Sequence, residues 1–334
     1  MAANGINGTV NGHLTRPLRP GIFVPVPTFF LPETEDLDIP SFEKQVIRLA
    51  DAGVGPLLAG SMGEAHHLSH AERITLVQAA RKALDDSGHH RVPIIMGTGG
   101  GSTRETIQLS KEAAAAETVG CDSMSLFRPW SSRRYRLGFG SHHGIGPGMP
   151  QPLRSQANVR PSYLTSISVY SPSFNSCGNV GKLTRIADAV SNAEFAAAYP
   201  ARIFRSLPSA WGFVDFLTPS IFANAHGAIT GLGNVAPHTL NKLFQLSEAA
   251  LKDPSLLPEA QRLQGIVARA DYTIAKASIA GTKVLLEKLY GYGGVPRRPL
   301  LPLESEAASA LWEHPDTQAI VKVERELNGK VNAS

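Results

Sequence analysis

Two periods of apolar residues follow one another through the first third of the chain. Gly21 to Phe30 (GIFVPVPTFF) is a short apolar run ending in a polar turn, which predicts a strand. Phe42, Val46, Leu49 and Ala50 then recur at helical spacing, and Gly53 closes that helix. Gly55 to Ala59 is a second apolar strand, running into Gly60-Ser61-Met62-Gly63-Glu64. Ser69-His70-Ala71-Glu72 has the form of a capping box, and the helix it opens carries Ile74, Val77, Ala80 and Leu84 on one face. Val92 to Met96 is a third strand, followed by a glycine loop. Ser102-Thr103-Arg104-Glu105 is a second capping box, with a helix running to about Gly120. Three successive strand–helix units with short connections predict a parallel sheet buried on both faces.

The last third resumes this pattern. Gly212 to Ala225 reads as helix, Ala228 to Leu232 as strand, and Pro237 opens another helix. Beyond Leu256 no strand signal returns, and helical stretches are expected over 257–280, 281–290 and 304–327.

The middle breaks the pattern. Residues 123–176 hold 12 Ser, 6 Arg and 6 Pro among 54 residues and no acid, although 28 acids in 334 residues would put about four or five there. No helical period is present, and so long a structureless loop is foreign to a compact domain. A basic disordered insertion is one account. We favour the other, that this stretch is out of frame with the coding sequence on either side.

Composition narrows the class. The chain has 334 residues, 43% of them hydrophobic and 18% charged, with a net charge of +4. That suits a globular enzyme with a core large enough to need no disulfide scaffold. Cys121 and Cys177 are the only cysteines, which fits a reducing compartment. No Lys/Arg block suggests a nucleic-acid partner, and no apolar run approaches the roughly eighteen residues of a membrane span. Met1 to Pro32 is free of acids and contains Arg16 and Arg19, so residues 1–20 read as a targeting segment or a disordered tail.

Four clusters carry candidate chemistry. The Gly60–Glu64 run sits where a barrel strand should end, with glycines that let N–H groups approach a small anion and Ser61 as a hydroxyl donor. An ordinary strand-to-loop turn explains the same spacing. Gly97-Thr98-Gly99-Gly100-Gly101-Ser102 resembles a phosphate cradle but lacks the Gly-Lys-Ser/Thr ending of a P-loop, and a turn with a helix cap suffices. Gly231-Leu232-Gly233-Asn234-Val235-Ala236 imitates a dinucleotide fingerprint, yet no second strand ending in an acid follows. His66, His67 and His70 would serve a zinc lyase only with a further ligand that the spacing does not offer.

Several segments together resemble the dihydrodipicolinate synthase and N-acetylneuraminate lyase family. They are Gly60–Glu64 with Leu68-Ser69 and Glu72-Arg73, Gly97-Thr98-Gly99 with Ser102-Thr103, Gly227-Ala228 through Asn234-Val235-Ala236-Pro237, and Val295-Pro296-Arg297-Arg298-Pro299-Leu300. The resemblance covers residues 21–122, 177–200 and 212–303, and within the family is greatest to 4-hydroxy-2-oxoglutarate aldolase and the fungal aldolases of 2-keto-3-deoxy sugar acids. It implies a (β/α)8 TIM barrel over residues 21–255, disrupted over 123–176, with a helical appendage over 256–334. It also implies a class I lyase acting on a 2-keto acid through a Schiff-base lysine on the sixth strand, with a proton-shuttling tyrosine on the fifth. By the same resemblance Ser61, the Met62 amide, Ser176 and Gly212 would bind substrate. Neither cofactor nor metal is expected, the assembly would be a homotetramer, and the compartment mitochondrial or cytosolic.

One departure is serious. Ser176-Cys177-Gly178-Asn179 continues the family's K-x-S/T-x-G-D/N motif, which puts Phe174 at the lysine position, and no lysine lies between Lys111 and Lys182. Tyr170-Ser171 superficially matches the tyrosine motif but stands only four residues before Phe174, too near for the helix and strand that must intervene. Met62 replaces a hydroxyl or amide residue, which breaks any side-chain relay there. If the residues stand as written, a catalytically dead barrel serving as a binding or scaffold protein is the rival reading.

Overall fold

The computed structural model describes residues 18–116 and 214–331, Arg16, and the short pieces Thr9–Val10, His13–Leu14, Asp122–Met124, Ile167–Ser168, Val180–Ser191 and Ala210–Trp211. Seven strands make one parallel sheet: β1 (Gly21–Pro25), β2 (Gly55–Leu58), β3 (Ile95–Gly97), β4 (Asp122–Met124), β5 (Ile167–Ser168), β6 (Ala210–Trp211) and β7 (Gly227–Ile229). Their order is β5-β4-β3-β2-β1-β7-β6. The first strand therefore pairs with both the second and the last, Phe23 facing Gly55 on one side and Ile229 on the other. That seam is the signature of a sheet closing on itself, and the fold is a (β/α)8 barrel with seven strands among the described residues.

Side-chain alternation sorts the strand residues into two layers. Phe23, Leu57, Ile95 and Ile229 pack together inside the barrel, and Leu18 joins them. Val24, Leu58, Met96 and Ala228 point the other way, into the larger core shared with the helices. Two residues further along each strand, the next inward positions are Pro25, Ala59, Gly97 and Gly231. Small side chains there leave room at the C-terminal mouth, where barrel enzymes place their chemistry.

The helices are α1 (Ile39–Asp51), α2 (His70–Asp86), α3 (Thr103–Ala116), α4 (Val180–Ser191), α5 (Leu217–Phe222), α6 (Pro237–Ala250), α7 (Leu257–Lys276), α8 (Ser278–Tyr290), α9 (Ser305–Glu313) and α10 (Pro315–Val331). The expected capping box of α2 is present, Ser69 Oγ accepting from Glu72 N at 3.2 Å and Glu72 Oε2 from Ser69 N at 2.8 Å. At α3 the loop closes one residue early. Ser102 Oγ accepts from Glu105 N, but the Glu105 carboxylate takes the N–H of Gly101 rather than that of Ser102.

Several expectations are corrected. The third strand is Ile95–Gly97 rather than Val92–Met96, because the Val92 carbonyl accepts from the buried Arg81 at 2.8 Å and is lost to the ladder. The last is Gly227–Ile229 rather than Ala228–Leu232, since Thr230 caps a single 3₁₀ turn over Gly231–Asn234. No strand was expected over residues 123–176, yet Asp122–Met124 and Ile167–Ser168 join the sheet, Ser123 facing Ile167. Thr165, Ile167 and Val169 alternate with serines, a period-two pattern that a count of acids and prolines overlooks. The stretch 304–327 is two helices, divided where Pro315 forces His314 into an extended conformation (φ −57°, ψ 132°). Helix over Gly212–Ala225 shrinks to α5. Arg16 and Leu18, which sequence analysis left in the tail, are buried, Arg16 Nε donating to the His90 carbonyl at 2.6 Å.

Two buried carboxylates join the C-terminal helices to the barrel. Glu324 on α10 caps α6 from outside, accepting from the amides of His238 and Thr239 at 3.1 and 2.8 Å, from the Thr239 hydroxyl at 2.7 Å, and lying 2.8 Å from His238 Nδ1. It thereby satisfies first-turn N–H groups at the positive end of the helix. Asp271 on α7 accepts from Val214 N at 3.1 Å, two residues beyond Gly212. Burial, only partly opposed by that hydrogen bond, pushes its carboxyl up to about 6. Because the folded value lies above the unfolded one, the favourable contribution is complete below about pH 4 and is lost as pH rises through 6, a cost on the order of 3 kcal/mol at neutrality. Asp271→Asn, which keeps an acceptor oxygen, should therefore gain stability relative to the parent between pH 4 and 7. Melting temperatures that keep a constant offset across that range would contradict the assignment.

Candidate active site

The loop after β2 is built by turning its carbonyls inward. Ala59 and Glu64, at its ends, both adopt left-handed backbone conformations, with φ of 46° and 54°. Ser61 O accepts from Glu64 N at 3.1 Å, Gly60 O from Ala65 N at 3.3 Å, and Gly63 O from the Thr28 hydroxyl at 2.8 Å. At Gly63 a side chain has no place, since a Cβ would stand 2.9 Å from the Val26 carbonyl. With the carbonyls engaged, the amides of Ser61, Met62 and Gly63 donate to no acceptor among the described residues. Ser61 is exposed and Met62 half-buried. The Met62 methyl reaches across to Gly231 at the end of β7, 3.0 Å from where a Cβ would be. Two of the expected substrate-binding residues are thus at the mouth of the barrel. Ser176 and Gly212, like Phe174, lie outside the described residues.

Glu64 is the hub beneath this loop, a role that the local sequence does not announce. Its Oε1 lies 2.6 Å from Lys283 Nζ on α8, and both side chains are 0% exposed. Nζ also donates to the Val295 carbonyl, 3.0 Å away. Oε2 accepts from Arg297 N at 2.9 Å and lies 3.3 Å from His67 Nδ1. Arg297 spreads its guanidinium over the His67 carbonyl at 2.8 Å and Glu72 Oε1 at 2.6 Å. Both cations lie over the Phe30 ring, Lys283 Nζ at 4.6 Å and Arg297 Cζ at 4.2 Å. Burial draws the Lys283 ammonium below the ordinary lysine value, and the Glu64 carboxylate opposes that shift. A signal existed in the sequence: Lys283 is the one charge between Ser278 and Leu286, within a helical apolar run.

The remaining clusters resolve into structure. His67 turns to Glu64, whereas His70 lies 2.6 Å from Glu112 on α3. Among the described residues no three metal-binding side chains converge. The Gly97–Ser102 loop spends its Gly100 and Gly101 amides on Thr106 and Glu105 of α3. In the Gly231–Ala236 turn the buried Asn234 amide donates to Pro25 O at 2.9 Å and Gly231 O at 3.1 Å and accepts from Gln45 at 3.0 Å, so this motif fastens β7 to β1.

These features define an α/β barrel whose C-terminal mouth carries a loop of unspent amides. The chain belongs to the dihydrodipicolinate synthetase family, whose model matches residues 20–144. It is 35% identical to the L-threo-3-deoxy-hexylosonate aldolase of Aspergillus niger, over 89% of this chain and 94% of that protein. It is 34% identical to a probable mitochondrial 4-hydroxy-2-oxoglutarate aldolase of Emericella nidulans, over 94% and 99% of the two chains. Among solved structures, a dihydrodipicolinate synthase family protein from Coccidioides immitis superposes with a TM-score of 0.65 at 24% identity, over 94% of this chain and 99% of that one. A chloride-inhibited dihydrodipicolinate synthase from Acinetobacter baumannii, complexed with pyruvate, gives 0.61 at 18% identity, over 92% and 99%.

Proposed function

We propose that this chain, with residues 123–176 read in the frame of their flanks, is an aldehyde-lyase of the class I aldolase kind, cleaving a 2-keto acid to pyruvate and an aldehyde. The observation that carries the reading is the run of free amides at Ser61, Met62 and Gly63, at the mouth of a barrel from a family in which one member is seen with pyruvate. In the reaction a lysine amine condenses with the keto group and water leaves. The bond between C3 and C4 then breaks as the C4 hydroxyl loses its proton, and the electron pair is held as an enamine. Protonation at C3 and hydrolysis release pyruvate. Throughout, the carboxylate stays on the Gly60–Glu64 loop.

The substrate we favour is 4-hydroxy-2-oxoglutarate, giving pyruvate and glyoxylate, with a 2-keto-3-deoxy sugar acid as the alternative that the Aspergillus relative suggests. Ser176 and Gly212 complete the binding set in this reading, in an oligomeric, tetrameric assembly. Its compartment is the mitochondrion, supported by the name of the Emericella relative. Phe174 supports a second reading, in which the barrel binds 2-keto acids without turning them over.

Ser61→Ala tests the shared part of both readings. Removing one donor to a carboxylate costs about 1.5–3 kcal/mol, so affinity for pyruvate, and kcat/KM in a competent form, should fall roughly ten- to a hundredfold. An unchanged value would take Ser61 out of the site.

A further inference from the structure

We infer that Lys283 is a positioning residue for the carboxylate-binding loop, acting through Glu64: it fixes the side chain that ends the loop and cancels a negative charge beneath an anion site. The inference rests on the reading of Gly60–Glu64 as a carboxylate-binding loop. Glu64 is the last residue of that loop, and its acid group is sealed from water, 3% of the residue being exposed. A buried carboxylate so near three free amides would repel an incoming carboxylate through a medium that screens poorly. It would also be costly to hold there alone. Lys283 removes both difficulties.

The groups facing Glu64 are Lys283 from α8, Arg297 from the segment after α8, and His67 from its own turn. Arg297 reaches Glu64 through its main-chain N–H and commits its guanidinium to Glu72, the His67 carbonyl and the Glu35 carbonyl. Only Lys283 brings a full charge onto Oε1. A part of the chain remote from the barrel strands thus sets the electrostatics of the barrel's mouth.

The test uses the full chain and pyruvate as probe, with affinity read by isothermal titration at pH 8 and pH 5.5. Lys283→Met keeps the volume and removes the charge. Its affinity should fall about tenfold or more at pH 8 and much less at pH 5.5, because acid favours the neutral form of a buried carboxylate that has lost its cation. The double variant Glu64→Gln with Lys283→Met, which leaves no charge unpaired, should recover most of the affinity at both pH values. A Lys283→Met chain that binds as the parent does would overturn the inference, as would a loss independent of pH that the double variant fails to repair. Should Lys283→Met be unfolded at pH 8, recovery of fold and binding together at pH 5.5 supports the inference, and failure of either there overturns it. If the parent itself does not bind pyruvate, the carboxylate-loop reading has failed. Amide exchange at Ser61, Met62 and Gly63 then decides what is left: faster exchange in Lys283→Met with β1 to β3 unaltered supports positioning, and equal exchange refutes it.

Discussion

Borohydride added with pyruvate should leave the chain as written unmodified, and should inactivate irreversibly a form in which residues 123–176 are read in the frame of their flanks. An imine needs an amine, and the position that the K-x-S/T-x-G-D/N motif reserves for it holds Phe174. Lys283, the buried lysine among the described residues, is committed to Glu64 and the Val295 carbonyl and is 0% exposed. The interior of 123–176 has lost its acids and the family's lysine and tyrosine together, while Cys177 and Gly178 beside it still follow the motif. Independent substitutions would have to remove all of these and spare the neighbours, whereas a pair of compensating single-base shifts removes them in one event. Resequencing the transcript should therefore restore acids, a tyrosine on the fifth strand and a lysine near position 174, and mass spectrometry should find the reduced pyruvate adduct on that lysine. A transcript that confirms the written residues would leave a barrel that binds and does not cleave.

Glu324→Ala should be strongly destabilising. The carboxylate accepts from two first-turn amides of α6 and from the Thr239 hydroxyl and pairs with His238. Its removal strands buried donors at the positive end of a helix that the Asn234 turn connects to β7. Leaving a buried donor without its partner costs about 1–3 kcal/mol, so the urea midpoint should drop with an unchanged slope. Glu324→Gln, which retains an acceptor, should lose clearly less. A shift below about 1 kcal/mol for alanine would mean that water replaces the carboxylate and that the cap is dispensable.

What the sequence disclosed was periodic or local. The Ser69–Glu72 box, the helix ended by Gly53, and the run 237–250 needed only neighbours within a turn or two, and each is where the pattern places it. The GSMGE loop stood out as a candidate because its glycines follow an apolar strand, although an ordinary turn has the same spacing. Its support was not legible, for Glu64 meets Lys283 and Arg297 across 219 and 233 positions, and no window of residues contains that encounter. Strand ends failed for a related reason: whether Val92 extends β3 depends on Arg81 taking its carbonyl, a choice made in three dimensions. In the 123–176 stretch composition masked a short alternating run that the sheet nonetheless uses at Ile167–Ser168.

The seam between β1 and β7 has a consequence for how the protein is made. The Asn234 side chain that ties the seam to Pro25 lies 209 residues further along the chain. At about 5–20 residues per second, a ribosome needs roughly 10–40 s to deliver that partner after β1 has emerged. During that interval one side of β1, with Ile22, Phe23 and Val24, is an unpaired apolar edge of the kind that recruits other chains. The nascent barrel thus spends most of its synthesis as an open ribbon, and its yield in a cell should respond to chaperone supply and to translation speed over the codons between β1 and β7 more than to substitutions that alter the finished molecule's stability.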